Sequence, residues 1–205
     1  MKGLLYKDRL TLLRSFRIYV IMCVGFIILG SIHPDNAFWA TYGLFFFSTI
    51  IPSLMAVDEQ TGWLSYCDIL PLKRKTIISE RYLVHIITSA GMILFYLVLN
   101  LILRKAETAA VLATTGMSLA MSMLVFSVSF PINVKFGHVK GQMVRMAVIM
   151  VMVLCGMAII NYGGPILGIL IKSGPMILPA GAALVILIYF CSWMLSVRIY
   201  EKKDL

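Results

Sequence analysis

The sequence predicts an all-α integral membrane protein with six transmembrane helices and both termini in the cytoplasm. Three observations carry that expectation: 60% of the 205 residues are apolar and 13% charged, the apolar residues gather in six runs, and the basic residues between runs fall almost wholly on one side. A hydrocarbon core about 30 Å thick takes roughly 20 residues per helix, so six spans use about 120 residues and leave no room for a large soluble catalytic domain. The net charge of +9 would suit nucleic acid in a soluble protein. Here the basic residues lie in the connections, where they set topology, and no nucleic-acid partner is expected.

The first seventeen residues read as an amphipathic elbow helix on the lipid surface. At 100° per residue Leu4, Leu5, Leu12 and Phe16 share one arc, and Lys2, Lys7, Arg9, Arg14 and Arg17 occupy the opposite one. A basic topogenic tail is the other reading of this stretch. The runs that follow place spans near 18–32, 38–55, 82–103, 109–130, 146–160 and 179–197 in a single transmembrane domain, 1–205. Because the first run follows a long basic stretch and lacks a small-residue cleavage site, it is expected to stay in the mature chain. Fifteen of the 18 basic residues then lie on the side of the termini, against Arg104, Lys105 and Lys172 on the other. That bias predicts a multi-pass membrane protein with cytoplasmic connections at 56–81 and 131–145.

Pro52 frees one carbonyl and predicts a kink in the second span. Between the fifth and sixth spans, Gly163-Gly164-Pro165 and Gly174-Pro175 bracket an apolar stretch too short to cross, either a re-entrant turn or a plain extracellular loop. Cys23, Cys67, Cys155 and Cys191 show no metal-ligand or redox spacing and read as apolar packers. No metal site is expected.

Between the proposed ends of the spans the only ionisable side chain is His85, read as an interfacial hydrogen-bonding residue. A secondary carrier keeps titratable groups near the midplane for its coupling ion, and an intramembrane hydrolase needs a nucleophile with a base or paired metal ligands. Neither constellation is present, so no catalytic residue is assigned. Thr115, Ser118, Ser122 and Ser129 form one stripe on the fourth span; it serves either helix packing or the lining of a pathway.

The connection 56–81 carries a helix's grammar. Asp58 and Glu59 stand where acidic residues complement a helix N-terminus, Trp63, Tyr66, Cys67 and Leu70 follow i, i+3, i+4, i+7, and Pro71 stops the run. An aromatic face framed by charge in such a loop meets either lipid headgroups or another protein.

Asp58-Glu59, Gly62-Trp63, Tyr66, Leu70-Pro71, Arg74 and Arg81-Tyr82-Leu83 resemble the first cytoplasmic loop of small bacterial type-two ATP-binding-cassette exporter permeases. Pro131, Lys135-Phe136-Gly137 and Lys140-Gly141 are similar to that family's second loop, as are both chain ends, Met1 to Asp8 and Tyr200 to Leu205. The chain departs from the pattern at Asn133-Val134, where the family carries more apolar or aromatic residues. The resemblance implies a coupling helix in which Asp58, Glu59, Trp63, Tyr66, Leu70, Pro71 and Arg74 dock on a separate cytosolic ATPase. Lys135, Phe136, Gly137 and Lys140 would then form a second contact. It also implies a second permease copy or paralogue and an amphipathic peptide cargo, as for the permease subunits of phenol-soluble-modulin exporters.

No phosphate loop of the form Gly-x-x-x-x-Gly-Lys-Ser/Thr is present, so this chain carries no cofactor of its own and ATP and magnesium belong to the partner ATPase. Membrane lipid is the remaining expected partner. The alternatives are a non-transporting membrane immunity or scaffold protein, which could display the same aromatic helix, and a secondary carrier.

Overall fold

A computed structural model describes residues 2–32, 38–63, 74–103, 108–162 and 177–202. These residues form six helices: α1 (Lys2–Ser15), α2 (Arg17–Ile32), α3 (Phe38–Gln60), α4 (Arg74–Leu103), α5 (Thr108–Tyr162) and α6 (Ile177–Glu201). Among the described residues, Thr41–Gln60, Arg74–Leu103, Val111–Gly137 and Gly181–Glu201 are long and apolar enough to cross a membrane. Tyr6–Ser15 and Arg17–Ile32, bent by 82°, add a fifth if taken as one broken span. The span expected at 146–160 falls in the second half of α5. Residues 163–176, which hold the re-entrant or looped stretch, lie outside the described residues.

The sharp bend between α1 and α2 sets an elbow at the basic end of the bundle. The backbone stays bonded through it, with Phe16 N–H donating to Leu12 O at 3.2 Å and Val20 N–H to Phe16 O at 3.0 Å. Of the arc read from leucine spacing, Leu12 is buried and Phe16 packs against the core, with Asp8 buried on the same face, while Tyr6, Leu10 and Leu13, off that arc, are exposed. Lys7, assigned to the outward arc, turns inward because carboxylates of α1 and α3 wait there.

α3 packs on α2 and α5, and α6 packs on α5 and α4. The core is aromatic where these meet: the rings of Phe126 and Phe130 are fully buried, and Tyr82 packs edge-on against both, at 5.0 and 5.1 Å. Hydroxyls knit the same interfaces. Tyr82 hydrogen-bonds Ser192 at 2.7 Å and Ser196 at 3.0 Å, and Tyr189 donates to the Tyr82 carbonyl at 3.0 Å. In lipid, where helices gain nothing by hiding apolar surface from one another, such bonds and close packing hold a bundle together.

Two boundaries differ from the sequence reading. α3 runs through Asp58 and Glu59 to Gln60, so these carboxylates close α3 instead of opening the next helix. An acidic residue at an exposed helix start gains about 0.3–1 kcal/mol, whereas breaking a buried ion pair costs about 3–5 kcal/mol, and Asp58 is buried in such a pair. The stretch 131–145, expected to be a connection, is helical apart from Gly137, whose φ of 73° and ψ of −180° belong to a region open essentially to glycine. Asn133 and Gly141 show how sharply the chain turns there. Eight residues of continuous helix span about 12 Å, yet a Cβ added at Gly141 would lie 3.2 Å from Asn133 Cα.

Candidate coupling site

Of the described coupling candidates, Trp63 meets Lys7, Lys7 meets Asp58, and Asp58 pairs with Arg81 of α4. Its guanidinium, 3% exposed, pairs with the carboxylate of Asp8 on α1 and that of Asp58 on the last turns of α3. Lys7 joins the same group, 2.7 Å from Asp58 and 3.3 Å from Asp8, and Glu80 lies 3.7 Å from Arg81 Nε. Two cations thus face three carboxylates inside the protein. The planar fork of Arg81 aims one nitrogen at each carboxylate, and the Lys7 ammonium bridges the same pair. The elbow, the end of α3 and the start of α4 are tied at one point.

Trp63, expected as the aromatic anchor, follows the break at Thr61-Gly62 and is half-buried against the core, with the Lys7 ammonium 4.5 Å from its ring centroid. Tyr66, Leu70 and Pro71 lie outside the described residues. Arg74 reaches the other side of the bundle, donating to the carbonyls of Tyr200 at 3.5 Å and Glu201 at 3.3 Å. A cation on the last carbonyls of a helix satisfies groups left without intrahelical partners, so Arg74 fixes the end of α6.

The second expected contact meets the first through Glu59. A Cβ at Gly137 would lie 3.5 Å from Glu59 Oε1, so the carboxylate at the end of α3 rests against the break in α5. Lys135, Phe136 and Lys140 are exposed. Lys135 sits 5.3 Å from the Phe136 ring centroid, and both residues border a groove of about 680 Å³ with Ile199 and Lys202. Asn133, where the chain departs from the resembled pattern, is buried and donates to the Pro52 carbonyl at 3.2 Å. The polar residue therefore joins α5 to the proline turn of α3.

Away from this end, the hydroxyl stripe of α5 meets α3 and α4. Ser118 bonds Thr41 at 3.0 Å, Ser122 bonds Ser48 at 2.6 Å, and Ser122 lies 3.3 Å from His85 Nε2. Thr115 donates to its own helix at Val111 O, and Ser129 is fully buried. His85 is itself fully buried, stacked on Phe126 at 4.0 Å with Nδ1 3.2 Å from the Tyr189 hydroxyl. It is a buried residue of the bundle with hydrogen-bonding neighbours on other helices.

A sequence model of the family described as ABC-2 family transporter protein matches residues 3–201. The chain belongs to this family. No curated protein and no solved structure matches it. Membership in the ABC-2 family makes the chain a multi-pass membrane protein of permease type and implies an ATP-binding-cassette ATPase as partner. For an ABC-2 family protein, the residues that sequence spacing left unassigned are the informative ones. Asp8 is the one acid of α1 and Glu80 the one acid of α4; lone acids of that kind were the available signal.

Proposed function

We propose that this chain is the permease subunit of an exporter of amphipathic peptides, such as cytolytic or antimicrobial peptides of the phenol-soluble-modulin kind. A separate cytosolic ATPase would bind and hydrolyse ATP with magnesium, and the basic end with both termini would face it. Two copies, or this chain with a paralogue, would enclose the pathway. The observation that supports the reading is the sharing of Arg81 between Asp8 and Asp58. A force applied by a partner to the 61–73 connection enters at the root of that connection and reaches α1, α3 and α4 together. Glu59 against Gly137 extends the same path to the middle of α5. In this reading Asp58 and Arg74 position the connection from within, Trp63 with Tyr66, Leu70 and Pro71 presents it, and Lys135, Phe136 and Lys140 form the second contact.

The test is Trp63→Ala in the intact complex. Co-purification of the ATPase and cargo-stimulated hydrolysis are expected to fall by the equivalent of about 2 kcal/mol or more, with membrane insertion unchanged. Normal coupling in that variant overturns the docking assignment.

A further inference from the structure

Beneath α1 a cleft of about 500 Å³ opens between the elbow, α3 and α4. Its wall is apolar, built by Leu12, Val20, Phe47, Val84 and Met92, and among the described residues that line it Arg9 is the one charged side chain. Thr88 adds no free donor, because its hydroxyl is committed to the carbonyls of Val84 at 2.6 Å and His85 at 3.1 Å. We propose that this cleft holds one anionic glycerophospholipid, with an acyl chain along the apolar wall and its phosphate against Arg9.

Length and charge both select that occupant. From Val84 to Met92 the wall runs eight residues along α4, about 12 Å, close to the roughly 15 Å of hydrocarbon in one leaflet of a core about 30 Å thick. The cation stands at the basic end of the wall, where a headgroup of that leaflet lies. Arg9 is exposed, whereas the neighbouring Asp8 is buried and paired with Arg81, so the elbow presents positive charge to the membrane surface. Leu13 and Ile87, on opposite lips of the cleft, are 53% and 56% exposed, which leaves it open sideways toward lipid. An acyl chain suits the wall and a phosphate suits Arg9.

The test needs neither the ATPase nor transport. The full chain, purified in mild detergent, is exchanged with phosphatidylglycerol or with phosphatidylcholine of identical acyl chains, and retained lipid is read by native mass spectrometry. One phosphatidylglycerol is expected to be retained over phosphatidylcholine by about fivefold, the preference that one basic residue near the surface confers. Arg9→Gln should reduce phosphatidylglycerol to the phosphatidylcholine level. Gly91→Leu places its side chain in the cleft where a Cβ meets no atom within 4 Å, and should lower retention of both lipids. Ile87→Trp is a second filling variant, and helical circular dichroism checks the fold of each. Equal retention of the two lipids by the unmodified chain overturns the headgroup assignment. So does lipid displaced by an added amphipathic peptide with no headgroup preference, which would assign the cleft to cargo. Unchanged phosphatidylglycerol in both filling variants overturns the cleft. Because Arg9 is exposed, its variant folds and keeps the test standing even if a filling variant does not.

Discussion

The Ser192 hydroxyl on α6 donates to the Ser127 carbonyl oxygen on α5 at 2.6 Å, the carbonyl that Pro131 leaves without its helical partner. A serine hydroxyl has one hydrogen, so in the bond between Ser192 and Tyr82 the phenol is the donor. Ser192→Ala removes both bonds and strands the carbonyl in a dry interface, a loss of about 1–2 kcal/mol. Thermal unfolding of the purified chain measures it. Adding Pro131→Ala restores a backbone donor four residues beyond Ser127, so the double variant should be less destabilised than the two single effects added together. Strict additivity would show that the proline-freed carbonyl is not what Ser192 serves.

Arg81→Leu leaves Asp8 and Asp58 as buried charges facing only Lys7, and should destabilise the folded chain by about 3–5 kcal/mol. Arg81→Lys should recover only part of that, since an ammonium on a flexible stem lacks the planar fork that aims one nitrogen at each carboxylate. The same unfolding assay distinguishes them, and equal stability of the lysine variant and the unmodified chain would contradict the shared-fork geometry.

At the break in α5, Gly141→Ala should cost about 1–3 kcal/mol, the range for forcing an extra methyl into a packed site. The added Cβ would lie 2.8 Å from Asn133 Oδ1 as well as close to the backbone of that residue. Asn133→Ala alone strands the Pro52 carbonyl, but in the Gly141→Ala background it also removes the nearer clash. A double-mutant cycle is therefore expected to give a favourable coupling energy between 133 and 141.

Ser122→Cys, at a position 1% exposed, should react slowly with a water-soluble maleimide in the resting protein. If the α5 stripe borders the transport route, labelling will rise when nucleotide is supplied with the ATPase. Rapid labelling of the resting chain would mean that the bonds to Ser48 and His85 do not close this interface.

The family and its membrane setting were legible because both rest on local features: apolar runs of spanning length, basic connections and short motifs in order. The tie at Arg81 was not, since Asp58 is 23 positions away and Asp8 is further still, and no periodicity connects them. Asp58 and Glu59 misled for a definite reason. Their chemistry suits a helix start, but long-range pairing outweighed the dipole and kept them on the end of α3. His85 was recognised as lone in the spans, yet its partners Ser48, Ser122 and Tyr189 come from three other helices. The serine stripe was visible at helical spacing; which helices it faces required the packing.

Gly137 gives the long α5 rod a single articulated joint. The heading of the arm from His138 to Tyr162 turns on one pair of backbone angles and is held by the close packing of Gly141 on Asn133. An engineer wishing to re-aim the arm would begin with Gly137 and would have to reshape the seat of Gly141 on Asn133 as well.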